Sequence, residues 1–365
     1  MAERWAALMP GQRSASLVAG WRGLGLFWIV VALLLAIGGG TLQMLGPLGP
    51  RTPPRQLASQ APAVAIPTPV PIVPQPRPEA ETPALPRPGR DTPGPIADPD
   101  PALLEPAANG ASELLPRIAT DGRMAMQVYA AGFDTTTKRP LVGLLMAGLG
   151  LNQAESDTAI RTLPGGITFA ISPYAPTPTK LLAAARSAEH EYLLSIPMEP
   201  QGFPLNDPGP QALMTNLARE QNYTRLRWTL SRFAGYVGAT GALGGMRGER
   251  LASLPDQINP VLSELARRGL LYVDPRPDAS LPPLAWSRSV DIVVDEPATA
   301  IAIDDKLGQL TRLAREKGSA LGLVTVVRPM TTARVANWAN GLAPDGLALA
   351  PVSALVRPLK AGAAP

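Results

Sequence analysis

The sequence predicts an α/β fold: a distorted (β/α) barrel of seven or eight units, preceded by one transmembrane helix and a Pro-rich linker. Three observations carry this. Short apolar runs alternate with helix-period segments over about the last 220 residues, which implies parallel strands joined by helical crossovers. An uncharged apolar run lies near the N-terminus. The excess among the 43 Pro of the 365-residue chain is concentrated in one tract between the two.

The elements follow in order. Leu141–Ala147 reads as a buried strand and Asn152–Leu163 as a helix. Ile167–Ile171 is a strand and Thr179–Ala188 a helix. Tyr192–Ile196 is a strand, Leu213–Phe233 largely helical, and Gly235–Ala239 a short strand. Pro255–Arg268 is a helix with Ile258, Val261, Leu262 and Leu265 on one face. Leu270–Val273 and Asp291–Val294 are strands, and Ala300–Lys317 is a helix. Ala320–Val327, Thr332–Asn340 and Leu347–Val352 complete the pattern as strand, helix and strand. Ala111–Arg139 is an N-terminal extension, with a strand expected at Met124–Tyr129 covering the barrel.

Upstream, no charged residue occurs from Gly23 to Pro50, and Leu24–Ile37 is almost wholly apolar. A run near 20 such residues spans a bilayer as a helix. Arg4, Arg13 and Arg22 precede it, which places the N-terminus in the cytoplasm. A cleaved signal peptide is the rival reading, with a shorter apolar region and a tighter cleavage site. Either way the rest of the chain lies outside the cytoplasm, in the periplasm of a Gram-negative cell. From Pro47 to Pro106 about one residue in three is Pro. Such a tract is an extended spacer rising about 3.1 Å per residue. The expected organisation is therefore residues 1–22 cytoplasmic, 23–45 a membrane anchor, 46–111 a disordered linker and 112–360 the barrel.

Composition excludes several chemistries. There is no Cys, so disulfides, thiolate metal sites and a Cys nucleophile are excluded. A single His excludes a two-His zinc site. The net charge of +4 is small and not clustered as nucleic-acid binding requires.

Several stretches, in order, carry a resemblance: Asp121–Tyr129, Arg139-Pro-Leu-Val142, Gly148-Leu-Gly150, Phe169–Pro176, His190–Leu194, Ile196-Pro-Met-Glu-Pro200, Asn206–Pro210, Gly235-Tyr-Val-Gly238, Arg268-Gly-Leu270 and Tyr272-Val-Asp274. Over residues 115–355 the chain resembles the divergent polysaccharide deacetylases. The resemblance implies a distorted barrel and metal-assisted hydrolysis, with an Asp-Asp pair at the end of the first strand supplying a metal ligand and the general base, and two later His. Here those positions read Met146-Ala147, Ala242 and Arg328. Loss of the metal, with no other cofactor, is therefore expected, and catalysis with it.

Barrel chemistry sits at the C-terminal ends of strands. Glu199, Asp274 and Asp295 fall there and are the candidate catalytic carboxylates. Asp207, Arg247, Arg276, Arg328 and Tyr174 are candidate glycan-binding groups, with Phe203 as a second stacking ring. Plainer roles stand beside these. Asp207 fits a turn, Asp274 with Arg276 a local ion pair, and Tyr174 packing on its own loop. His190 precedes the Tyr192 strand, on the opposite end of the barrel, and fits a structural role. Three functions remain open. One is a tethered, non-catalytic binder of envelope polysaccharide, peptidoglycan or a protein partner. The others are a hydrolase using the strand-end carboxylates and a mechanical tether. The inner membrane is the expected partner of the N-terminal helix.

Overall fold

The computed structural model describes residues 27–28, 30–33, 89–91, 93–107, 110–280 and 284–356. The predicted anchor at 23–45, apart from six helical residues, and the linker up to residue 88 lie outside the described residues. Among the described residues no helix is long and apolar enough to cross a membrane.

The folded part starts earlier than residue 112. Leu104–Ala107 (β1) and Gly110–Pro116 (β2) pair antiparallel. Ile96, Leu103 and Ala107 are buried. The local Pro residues do not prevent this. Pro101 opens a short 3-10 turn capped by Asp100, whose carboxylate accepts from Ala102 N at 2.8 Å. Pro106 lies in a two-stranded ladder, where a missing donor is tolerated. The expected strand at Met124–Tyr129 is a short helix, Ala125–Val128 (α1). Ala125 and Met126 of this helix are buried, as are Tyr129 and Ala130 just past its end, a helical rather than alternating spacing.

The main sheet is parallel throughout. Its strands are Leu141–Leu149 (β3), Thr168–Ile171 (β4), Tyr192–Ser195 (β5), Gly238–Thr240 (β6), Leu271–Asp274 (β7), Ser287–Ser289 (β8), Ile292–Val293 (β9) and Ser319–Val324 (β10). They are ordered β8-β7-β6-β5-β4-β3-β10-β9. Ala348–Leu349 (β11) adds to the start of β3, ahead of where β4 begins to pair. Sequence reading missed β8, because Ser-Arg-Ser carries no strand signal. Yet β8 and β9 form the two ends of the sheet and are separated only by Val290 and Asp291. Ser289 pairs with Asp274 while Ile292 pairs with Gly322. The sheet must therefore curl until its edges meet.

The crossovers are helices Gln153–Thr162 (α2), Pro178–Ser187 (α3), Arg219–Leu230 (α4), Glu249–Ala252 (α5), Pro255–Arg267 (α6), Ala300–Lys317 (α7) and Pro329–Leu342 (α8). A Cβ on Gly322 would lie 2.7 Å from Leu310 of α7, so that face of the sheet meets the helices. The alternate residues Leu145, Leu193, Leu271 and Leu323 fill the interior and are fully buried. Helix α6 buries Ile258, Val261, Leu262 and Leu265, each contributing about 1.5–3 kcal/mol. A charge at Leu262 would break that face.

Candidate functional site

The register places Ser195 beside Thr240, one layer beyond Leu193 and facing the same interior. This is the C-terminal mouth. Both side chains are buried, and Ser195 Oγ has no hydrogen-bond partner among the described residues. Thr240 Oγ1 accepts from Ala242 N at 3.3 Å. Met198 occupies the neighbouring space: a Cβ on Gly248 would lie 2.6 Å from Met198 Cβ. Gly248 also has φ 61°, a conformation glycine adopts without strain. The mouth is thus filled by small and apolar groups drawn close together.

The three candidate catalytic carboxylates all sit at strand ends, all are buried, and each has its own partners. Glu199 is 3% exposed. Its Oε2 accepts from Thr215 N at 2.6 Å and Thr215 Oγ1 at 2.7 Å, and its Oε1 pairs with Arg250 at 3.0 Å. Asp274 is fully buried and accepts from Arg276 N at 2.9 Å, Nε at 2.9 Å and Nη2 at 2.6 Å. This fork raises the Arg276 pKa above its ordinary value. Asp295 accepts from Thr325 N at 2.9 Å, Thr325 Oγ1 at 3.0 Å and Val326 N at 3.0 Å, which fastens the end of β9 to the end of β10. Near Asp274, the buried Tyr272 hydroxyl has no partner among the described residues, and burial raises its pKa well above the ordinary value.

The predicted binding groups do not converge. Asp207 accepts from Gly209 N at 2.8 Å, an Asx turn in an exposed loop. Tyr174 OH accepts from Gln211 N at 3.2 Å, and its ring lies 5.8 Å from that of Trp228, so it packs against the loop after β5 and helix α4 rather than on its own loop. Phe203 is half-buried in the loop after β5. Arg247 pairs with Glu296 and Glu249. Arg276 is taken by Asp274. Arg328 stands at the N-cap position of α8 without a side-chain capping bond and is exposed.

The opposite end carries more polar structure than expected. His190 is fully buried ahead of β5; its Nδ1 lies 2.8 Å from the Ile167 carbonyl and its ring 4.2 Å from that of Phe169. Burial lowers its pKa. Beside it, Glu191 went unnoticed in the sequence. It accepts from Ala131 N at 3.0 Å, Thr168 Oγ1 at 2.9 Å, Ser353 N at 2.9 Å and Ser353 Oγ at 2.6 Å. A carboxylate opening an otherwise apolar strand was the available signal.

The family model for divergent polysaccharide deacetylases matches residues 144–356. The chain belongs to that family. A solved structure, an uncharacterized protein (ATU2773) from Agrobacterium tumefaciens C58, is 29% identical, with a TM-score of 0.61 over 67% of this chain and 100% of that one. No curated protein matches the chain. The metal that deacetylase chemistry implies can be tested on the donor set. Zinc takes His, Cys or carboxylate ligands. Here Met146, Ala147 and Ala242 are fully buried without such a group, and Arg328 is a cation. The nearby carboxylates are bound to Arg or backbone donors. These residues do not fit the metal.

Proposed function

We propose that this deacetylase-family domain acts outside the cytoplasm, held to the inner membrane by residues 23–45, as a non-catalytic binder of envelope polysaccharide. One observation carries this: the three buried carboxylates at the strand ends, Glu199, Asp274 and Asp295, are each already neutralised or hydrogen-bonded within the chain. Asp274 with its Arg276 fork is the plainest case. A general base needs a free lone pair within reach of water or substrate, and Glu199, Asp274 and Asp295 are buried with theirs engaged. What remains of the family is a rigid scaffold with loops for recognition.

The test combines metal analysis, acetate release and binding on the full chain in detergent. The reading expects less than one tenth of a zinc per chain, no acetate from an acetylated glycan, and measurable binding of envelope glycan fragments. Stoichiometric zinc with acetate release overturns it. Turnover without metal, abolished by Asp274→Asn, would establish the carboxylate hydrolase instead.

A further inference from the structure

A second place on the domain has the chemistry that the mouth lacks. Helices α7 and α8 pack together on the outside of β10 and β3 and leave a groove of about 510 Å³ between their solvent-facing sides. That volume falls in the range of small-ligand sites, about 300–1,000 Å³. The clefts at α4/α6 and at α2/α3 hold only 130 and 140 Å³. Gly308 makes part of the room. It sits in the middle of α7, where glycine is unfavourable, and a Cβ there would meet only Arg312 Nη1, at 3.6 Å.

The walls are cationic. Arg312, Arg315 and Arg334 line the groove with Asn337 and Trp338. Arg334 is paired with Asp304 at 2.8 Å. Arg315 donates to the backbone carbonyl of Asp345 at 3.1 Å, which leaves its charge uncompensated by that bond. Arg312 is exposed and carries no ion pair among the described residues. Asp345 is the second carboxylate on the lining, and it faces three guanidinium groups with Asp304. Trp338 Nε1 donates to Thr311 Oγ1 at 3.0 Å, which fixes the indole plane.

We infer that this α7–α8 groove binds a carboxylated glycan. Arg312 and Arg315 take the sugar carboxylate, the fixed Trp338 indole lies along the ring, and the Asn337 amide serves the hydroxyls. A guanidinium matches a carboxylate bidentately. The indole and the amide favour a sugar ring over an extended acidic peptide, which presents no comparable flat apolar face. The groove is separate from the barrel mouth, so the inference stands whether or not the mouth binds glycan.

The experiment is calorimetric titration of the full chain in detergent with oligogalacturonate, its methyl ester and poly-glutamate. Oligogalacturonate should bind, and affinity should fall as salt is raised. The neutral ester and poly-glutamate should bind at least tenfold more weakly. Arg312→Gln with Arg315→Gln should weaken oligogalacturonate binding at least tenfold. Gly308→Glu guards against misfolding: it suits the helix and places a carboxylate four residues before Arg312. It should raise or preserve the melting temperature and abolish binding. A surface variant on the distant helix α3, Lys180→Gln, should leave the titration unchanged. Equal affinity in wild type and both groove variants overturns the inference. So does no binding by wild type, or poly-glutamate binding as tight as the glycan.

Discussion

The two ends of the barrel handle buried carboxylates in opposite ways. At the C-terminal mouth each buried carboxylate has a cation or a neighbouring strand end of its own: Asp274 has Arg276, Glu199 has Arg250, and Asp295 takes Thr325 and Val326. No two of the three share a partner. At the N-terminal base, Glu191 collects four donors from three distant segments and no cation. It joins the N-terminal extension, β4 and the 3-10 turn Val352–Ala354. Arg268 does similar work nearby, binding Glu264, Glu105 and the Pro116 carbonyl, which docks the β1–β2 hairpin. The base is a structural clasp; the mouth is a set of independent local locks. In an enzyme of this fold the mouth carries the chemistry, so self-satisfied carboxylates there are the informative feature.

The largest effect should come from breaking the clasp. Glu191→Ala strands the Ser353, Thr168 and Ala131 donors in the interior and should cost about 3 kcal/mol or more. Chemical denaturation measures it. Glu191→Gln, which keeps one acceptor oxygen, should cost less. Equal loss in both would point to charge rather than hydrogen bonding as the source.

Next comes the Asp274–Arg276 lock. Arg276→Met leaves a fully buried carboxylate unpaired and should cost about 3 kcal/mol, while adding Asp274→Asn should recover part of that loss. A double-mutant cycle in urea reads the coupling. Additive losses would show that the two side chains do not act as a pair.

A smaller effect separates the ends by pH. The His190 pKa is lowered by burial, so its contribution to stability is full above the unfolded value of about 6.5 and fades as pH falls toward the folded value. The Glu191 pKa is raised by burial. Its contribution is full below the unfolded value near 4.3 and fades as pH rises through the folded value. Melting temperature against pH should therefore show a loss on acidification from 6.5 that His190→Gln flattens. A curve unchanged by that variant would remove His190 from the account. The smallest effect is at Asp207: Asp207→Ala removes one exposed Asx-turn bond and should shift stability by less than about 1 kcal/mol.

The alternation of apolar runs and helical periods was sufficient to read most of the barrel, because strand and helix periods are local properties. Strands β3, β4, β5 and β7 and helices α2, α3, α6 and α7 lie within a few residues of their predicted bounds. The missing metal-ligand set was legible too, since Met146, Ala147, Ala242 and Arg328 need no coordinates to exclude a zinc ligand. The tertiary structure decided what depends on distant partners. It turned Met124–Tyr129 into a helix, added residues 93–107 to the fold, and used Ser287–Ser289 to bring the sheet edges together. It also decided which carboxylates are free. Asp274 has its partner two residues away, but Glu199, Asp295 and Glu191 reach theirs across 16, 30 and 162 residues. Residue type fixes whether a group can do chemistry; only packing fixes whether its lone pairs are already taken.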